Sequence, residues 1–80
     1  MILKRKYQLK GYVGNKFTLS IFSALEDISY DVSMSGDYFC LKYVINEFGS
    51  ILVFLSSYEI INQDGEVIER YDNGVDYNGL

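Results

Sequence analysis

Between residues 38 and 55 the chain is apolar at odd and even positions alike, and this double parity limits its possible folds more than any other feature. Tyr38, Phe39, Cys40, Leu41, Tyr43, Val44 and Ile45 lead into a turn over Glu47, Phe48, Gly49 and Ser50, and Ile51, Leu52, Val53, Phe54 and Leu55 follow it. Lys42 alone interrupts the two apolar runs. A strand with one face in water is polar at every second residue, so this pair asks for cover on both faces. It can form the middle of a sandwich, wrap into a tight barrel covered by the termini, or present one face to another protein chain. Eighty residues support one core and little material for a third layer. Self-association through Tyr38, Val44, Leu52 and Phe54, giving a homodimer, is therefore one expectation, and full internal burial is the other.

The rest of the chain reads as strands. Leu9, Gly11 and Val13 alternate with Gln8, Lys10 and Tyr12, and after Gly14-Asn15 the alternation resumes with Phe17, Leu19 and Ile21 against Lys16, Thr18 and Ser20. Ala24 to Asp27 connects this hairpin to the cleanest alternation of all, Ile28, Tyr30, Val32 and Met34 against Ser29, Asp31, Ser33 and Ser35. Ser35-Gly36 turns into the apolar run from Tyr38, and Asp64-Gly65 turns a last hairpin between Tyr58–Ile61 and Glu66–Tyr71. The sum is an all-β fold, a six-stranded antiparallel meander over 7–13, 16–22, 28–35, 38–46, 51–62 and 66–71, forming a small barrel or sandwich. Phe17, Ile21, Leu25 and Ile28 also recur at helical spacing, so an α+β fold with one helix near 17–28 is the alternative. Residues 1–71 are expected to form a single β domain, and 72–80, with two glycines, two asparagines and two aspartates, a flexible acidic tail.

Catalytic constellations are missing from the sequence. There is no His, the usual base and metal ligand, and one Cys, which removes triads, zinc sites and an internal disulfide. Cys40 in its apolar run reads as a buried structural thiol. Placing Asp64-Gly65 at the fifth and sixth positions of a calcium loop puts Ile60 first and Tyr71 last, neither of them a ligand in that motif. The sequence thus predicts no enzyme, no cofactor and no metal. It also predicts a cytoplasmic chain, of the producing or a host cell, and no membrane partner. Met1 to Lys6 is not followed by the apolar stretch of a signal peptide, and no apolar run approaches eighteen residues.

Charge is the remaining signal. Net charge is −4, but Lys4, Arg5, Lys6, Lys10 and Lys16 fall in the first sixteen positions without an acid among them. The other sixty-four positions carry eleven acids and two bases. Such asymmetry bears on partners. If the basic strand pairs with an acidic one, the charges are internally complementary. If the acids instead gather outward, they suit a basic protein: Glu26, Asp27, Asp31, Asp37, Glu66, Glu69, Asp72 and Asp76 would take the place of phosphates in a basic groove, with Tyr71 and Tyr77 stacking where bases stack. The expected function is then a non-catalytic acidic protein-binding module, an inhibitor of a nucleic-acid-handling protein, with a self-associating scaffold built on the 38–55 hairpin as the alternative. Five basic charges on a net-acidic chain disfavour direct nucleic-acid binding at Lys4, Arg5, Lys6, Lys10 and Tyr12.

Residue usage is skewed toward Ile, Tyr, Phe, Asn and Lys, with one Ala, two Arg and no Pro, as in translation of an AT-rich genome. In size, acidity and this skew the chain resembles in character the small phage-encoded inhibitors of host defence, anti-CRISPR proteins among them. That resemblance implies phage counter-defence and a protein partner, and carries over no individual residue.

Overall fold

The computed structural model describes residues 1–72, apart from the side chains of residues 45 and 46. Eight strands follow one another: β1 (Ile2–Leu3), β2 (Gln8–Val13), β3 (Lys16–Phe22), β4 (Ile28–Ser35), β5 (Tyr38–Asn46), β6 (Gly49–Leu55), β7 (Ser57–Ile61) and β8 (Val67–Asp72). They form two four-stranded antiparallel sheets, sheet I in the order β1-β4-β5-β6 and sheet II in the order β3-β2-β7-β8. The all-β expectation holds. Its details change: the six-stranded meander becomes eight strands in two sheets, neither sheet closes into a barrel, and no helix forms over 17–28. The residues at helical spacing in 17–28 fail as a helix because Lys16–Phe22 satisfies its backbone by pairing with β2, with Ile21 opposite Leu9.

Two strands add to the expected six, for different reasons. Ile2–Leu3 is too short to show a period, yet Leu3 pairs with Ile28 at the edge of sheet I and is fully buried. The run 51–62 is one apolar stretch in sequence but two strands in space, because the chain breaks at Ser56 and crosses from sheet I to sheet II. Ser56 pins that corner. Its backbone N–H donates to the Tyr12 carbonyl at 2.8 Å, and its Oγ accepts from the Gly14 N–H at 2.6 Å and donates to the Tyr12 carbonyl at 3.2 Å.

The other two crossings are held in the same way, by backbone groups and a buried serine. Between β1 and β2 the Tyr7 N–H donates to the Lys4 carbonyl at 3.0 Å, closing a turn in which Lys6 takes a positive φ of 68°. Between β3 and β4, Ser23 accepts from Lys6 N–H, donates its own N–H to the Tyr7 carbonyl and its hydroxyl to the Glu26 carbonyl. Ser23, Ser56 and Ser57 are the buried polar residues among those described, and all three lie where the chain changes sheet. The Ser23 and Ser56 hydroxyls satisfy backbone groups there that neither sheet pairs.

One core lies between the sheets. Leu3, Tyr30, Leu41 and Leu55 reach it from sheet I, and Leu9, Ile21, Tyr58 and Ile60 from sheet II. Phe39 meets Tyr58 edge to face, with ring centroids 5.3 Å apart. Gly11 in β2 lets β6 come close enough to seal this end of the core, since a Cβ there would lie 2.5 Å from Leu55.

Candidate functional site

The two sheets differ in what they show to solvent. On the outer face of sheet II a row of partners runs across neighbouring strands. Lys10 stands beside Glu59, Glu59 opposite Arg70, and the Arg70 guanidinium meets the Glu59 carboxylate at 3.2 Å. Tyr12 donates its hydroxyl to Glu59 at 2.8 Å, and Gln8 donates to Ser20 at 2.6 Å. One residue of the basic segment, Lys10, therefore stands opposite an acid, as the complementary reading of the charge expects, while the ion pair that Glu59 makes is with Arg70.

Sheet I is different. Within 38–55 one parity turns inward: Phe39, Leu41, Tyr43, Val53 and Leu55 pack on or into the core, and Ile51 is opposite Tyr43 on the same face. The other parity faces out and stays uncovered: Tyr38 is 45% exposed, Val44 59%, Leu52 56% and Phe54 50%. Full internal burial, the rival expectation, fails because a chain of this size builds two layers and nothing is left to cover the outside of sheet I. The strand register sets these side chains in a ladder, with Cys40 opposite Phe54, Lys42 opposite Leu52 and Val44 opposite Ser50. Cys40 is thus a half-buried member of the outer face, and the buried structural thiol expected from sequence is corrected. Adjacent β4 contributes Ser33 beside Cys40 and Asp31 beside Lys42.

The expected acidic and aromatic residues separate into two places. Four of them border the apolar ladder. Asp31 stands on the outer face of sheet I, Asp37 sits in the β4–β5 turn next to Tyr38, and Glu26 and Asp27 lie in the loop that leads into β4. With Ala24, Leu25, Ile28, Ser29 and Val44, Glu26 and Asp27 line an open depression of about 450 Å³ at one end of the ladder. Asp27 is anchored there by the Arg5 N–H, which donates to its Oδ1 at 2.9 Å. Glu66, Glu69, Tyr71 and Asp72 belong instead to sheet II, Glu66 in the β7–β8 turn and the others along edge strand β8. Asp76 and Tyr77 lie outside the described residues, as does the expected tail beyond Asp72. Sequence reasoning missed Leu25 and Phe48, the two most exposed large apolar side chains described. Each sits in a connection between strands, where periodicity carries no signal.

At the inner side of β8, Tyr71 stacks on Tyr58 with centroids 4.7 Å apart and donates its hydroxyl to Glu69. Burial, followed by the neighbouring Tyr30, Tyr71 and Glu69, pushes the Tyr58 hydroxyl far above the ordinary tyrosine value. Burial and then Glu69 raise Tyr30, and the hydrogen bond to Glu69 leads the rise at Tyr71. The unfolded chain releases these protons near pH 10 while the folded chain holds them, so the folded form carries more protons above that pH. Stability is therefore expected to be intact below pH 10 and to fall above it, with Tyr58 alone contributing a slope of about 1.4 kcal/mol per pH unit. Urea melts from neutral to alkaline pH measure this. A midpoint that stays level past the tyrosine range, or a Tyr58→Phe variant with an undiminished slope, contradicts it.

Among the described residues no group of three or more His, Cys, Asp and Glu side chains could hold a metal ion. Nor is any described helix long and apolar enough to cross a membrane. No protein-family model matches the chain, and no curated protein or solved structure is detectably similar to it.

Proposed function

We propose that this chain is a non-catalytic protein-binding module whose working surface is the outer face of sheet I. One observation carries the reading: Tyr38, Val44, Leu52 and Phe54 stand exposed together across the adjacent strands β5 and β6, whereas the middle of sheet II's outer face is hydrogen-bonded and ion-paired within itself and its exposed Phe17 and Phe22 lie apart at the two ends of β3. An apolar centre with a polar rim is the anatomy of a protein interface. Here the rim carries Glu26, Asp27, Asp31 and Asp37, so the matching partner has an apolar or aromatic centre and a basic surround. A nucleic-acid-handling protein with a positive groove fits that description, and the chain then acts as an inhibitor that takes the nucleic acid's place.

A second reading has its own support in β8. Glu66, Glu69 and Asp72 follow one another along an exposed edge, and the stack on Tyr58 fixes the Tyr71 ring among them. That strip suits a groove lined by cations, with Tyr71 in the place of a base.

Capture from the lysate of a low-GC bacterium, at low and high salt, tests both. Tyr38→Ser with Val44→Ser is expected to abolish capture of a basic protein at either salt concentration and to leave the melting temperature unchanged. Reversing Glu26, Asp27 and Asp31 to Lys is expected to weaken capture chiefly at low salt, where rim charges act most strongly. Loss of capture only on reversal of Glu66, Glu69 and Asp72 transfers the function to β8. Capture indifferent to all three sets ends the proposal.

A further inference from the structure

We infer that β6 is a self-pairing edge, and that two copies of the chain join antiparallel through it, about a two-fold axis near Leu52, into one continuous eight-stranded sheet. Among the described residues β6 pairs with β5 and with no other strand. The hydrogen bonds that tie this end of the strand to sheet II are made beyond it, at Ser56. An open edge of this kind recruits another strand unless something guards it.

The other three edges carry guards. β1 is two residues long, β3 starts on Lys16 and its pairing slips at a bulge beside Gly11 and Tyr12, and β8 bears Glu69, Arg70 and Asp72. β6, reading Gly49, Ser50, Ile51, Leu52, Val53, Phe54, Leu55, has no charge and no proline. On a chain of net charge −4 it is therefore the strand whose approach to its own copy brings no like charges into register.

The pattern of β6 is also self-complementary, which a two-fold axis demands. With Leu52 facing the second copy's Leu52, Ile51 faces Val53 and Ser50 faces Phe54. Ile51 and Val53 line the core side, so the paired strands continue both cores, while Leu52 and Phe54 continue the outer ladder. A foreign strand would need the same alternation to match, and the second copy has it by construction. The dimer goes beyond the partner-binding reading and does not require it, although it doubles the length of the apolar face.

Sedimentation across about 1 µM to 1 mM protein is expected to show a monomer–dimer equilibrium, as suits an interface at the small end of the specific range. Raising salt from about 0.05 to about 0.5 M should strengthen it several-fold, because screening relieves the repulsion between two acidic chains. Amide exchange of residues 50–54 should slow as concentration rises. Leu52→Lys and Leu52→Glu should each be monomeric, since each sets like charges against each other at the axis, and an equimolar mixture of the two should recover a dimer. Leu52 is exposed, so both variants keep the fold, which a thermal melt of each verifies. Tyr38→Ser with Val44→Ser, on β5, should leave the dimer intact even where it abolishes partner capture, which separates failure of this inference from failure of the previous one. A monomer at every concentration and salt overturns the inference. A dimer that gives residues 50–54 no protection, or that the two charged variants fail to restore together, overturns it equally.

Discussion

Leu41→Ala is expected to lower the unfolding free energy by about 2–5 kcal/mol, while Leu52→Ala, in the next strand of the same sheet, is expected to change it by no more than about 0.5 kcal/mol. Both leucines belong to the apolar pair 38–55, and sequence alone does not tell them apart. Leu41 is fully buried, with Val32 and Val53 as its cross-strand neighbours and the core cluster above it. Removing its three outer carbons leaves a cavity that two thin layers cannot close. Leu52 lies on the opposite face, more than half exposed, and loses little that water had not already taken. A domain of eighty residues holds about 4–12 kcal/mol in all, so the Leu41 variant gives up a large share of its stability, which urea denaturation beside the Leu52 variant measures. Equal losses at the two positions would mean that the outer face of sheet I is covered in solution, and the proposed working surface would be lost with it.

That contrast also marks how far the sequence was legible. Strands β2 to β5 and the last hairpin stand close to where alternation and turn residues place them, because in those segments local pattern and tertiary burial agree. The double parity of 38–55 leaves two outcomes open, an uncovered face or full internal burial, and in the fold Tyr38, Val44, Leu52 and Phe54 are exposed. What alternation could not show was which parity turns inward, since both are apolar. The break at Ser56 carries a signal of its own. Within 51–62 the odd positions Val53 and Leu55 face the core, then the even positions Tyr58 and Ile60, and two serines in succession mark the switch. A strand that changes parity across adjacent small polar residues is turning a corner between sheets. The acids were harder. Their positions along the chain place them on turns and outer faces, but their division between the border of sheet I and the β8 edge follows from the strand order β3-β2-β7-β8, which is set by pairing of distant segments.

Gly11→Ala is expected to destabilise the domain by about 1–3 kcal/mol, against the general tendency of alanine to stabilise a strand relative to glycine. The new Cβ would stand 2.5 Å and 2.8 Å from the two methyl carbons of Leu55 and 3.2 Å from its Cγ. A leucine at the surface could swing its methyl groups aside, but Leu55 is fully buried in the core, where close packing leaves little room for that. Relief has to come from β2 and β6 moving apart, which strains the Ser56 corner held by Tyr12 and Gly14. Gly49→Ala is the matched control, because its Cβ would meet nothing within 4 Å and its backbone needs no glycine, so that variant should be neutral or slightly stabilised. Combining Gly11→Ala with Leu55→Ala decides the cause. If contact between these two side chains is the source of the loss, the double variant is less destabilised than the two single losses added together. Strict additivity would mean that Gly11 is required for some reason other than the approach of β6, and the tight seam between the two sheets would no longer explain why this strand carries a glycine at its centre.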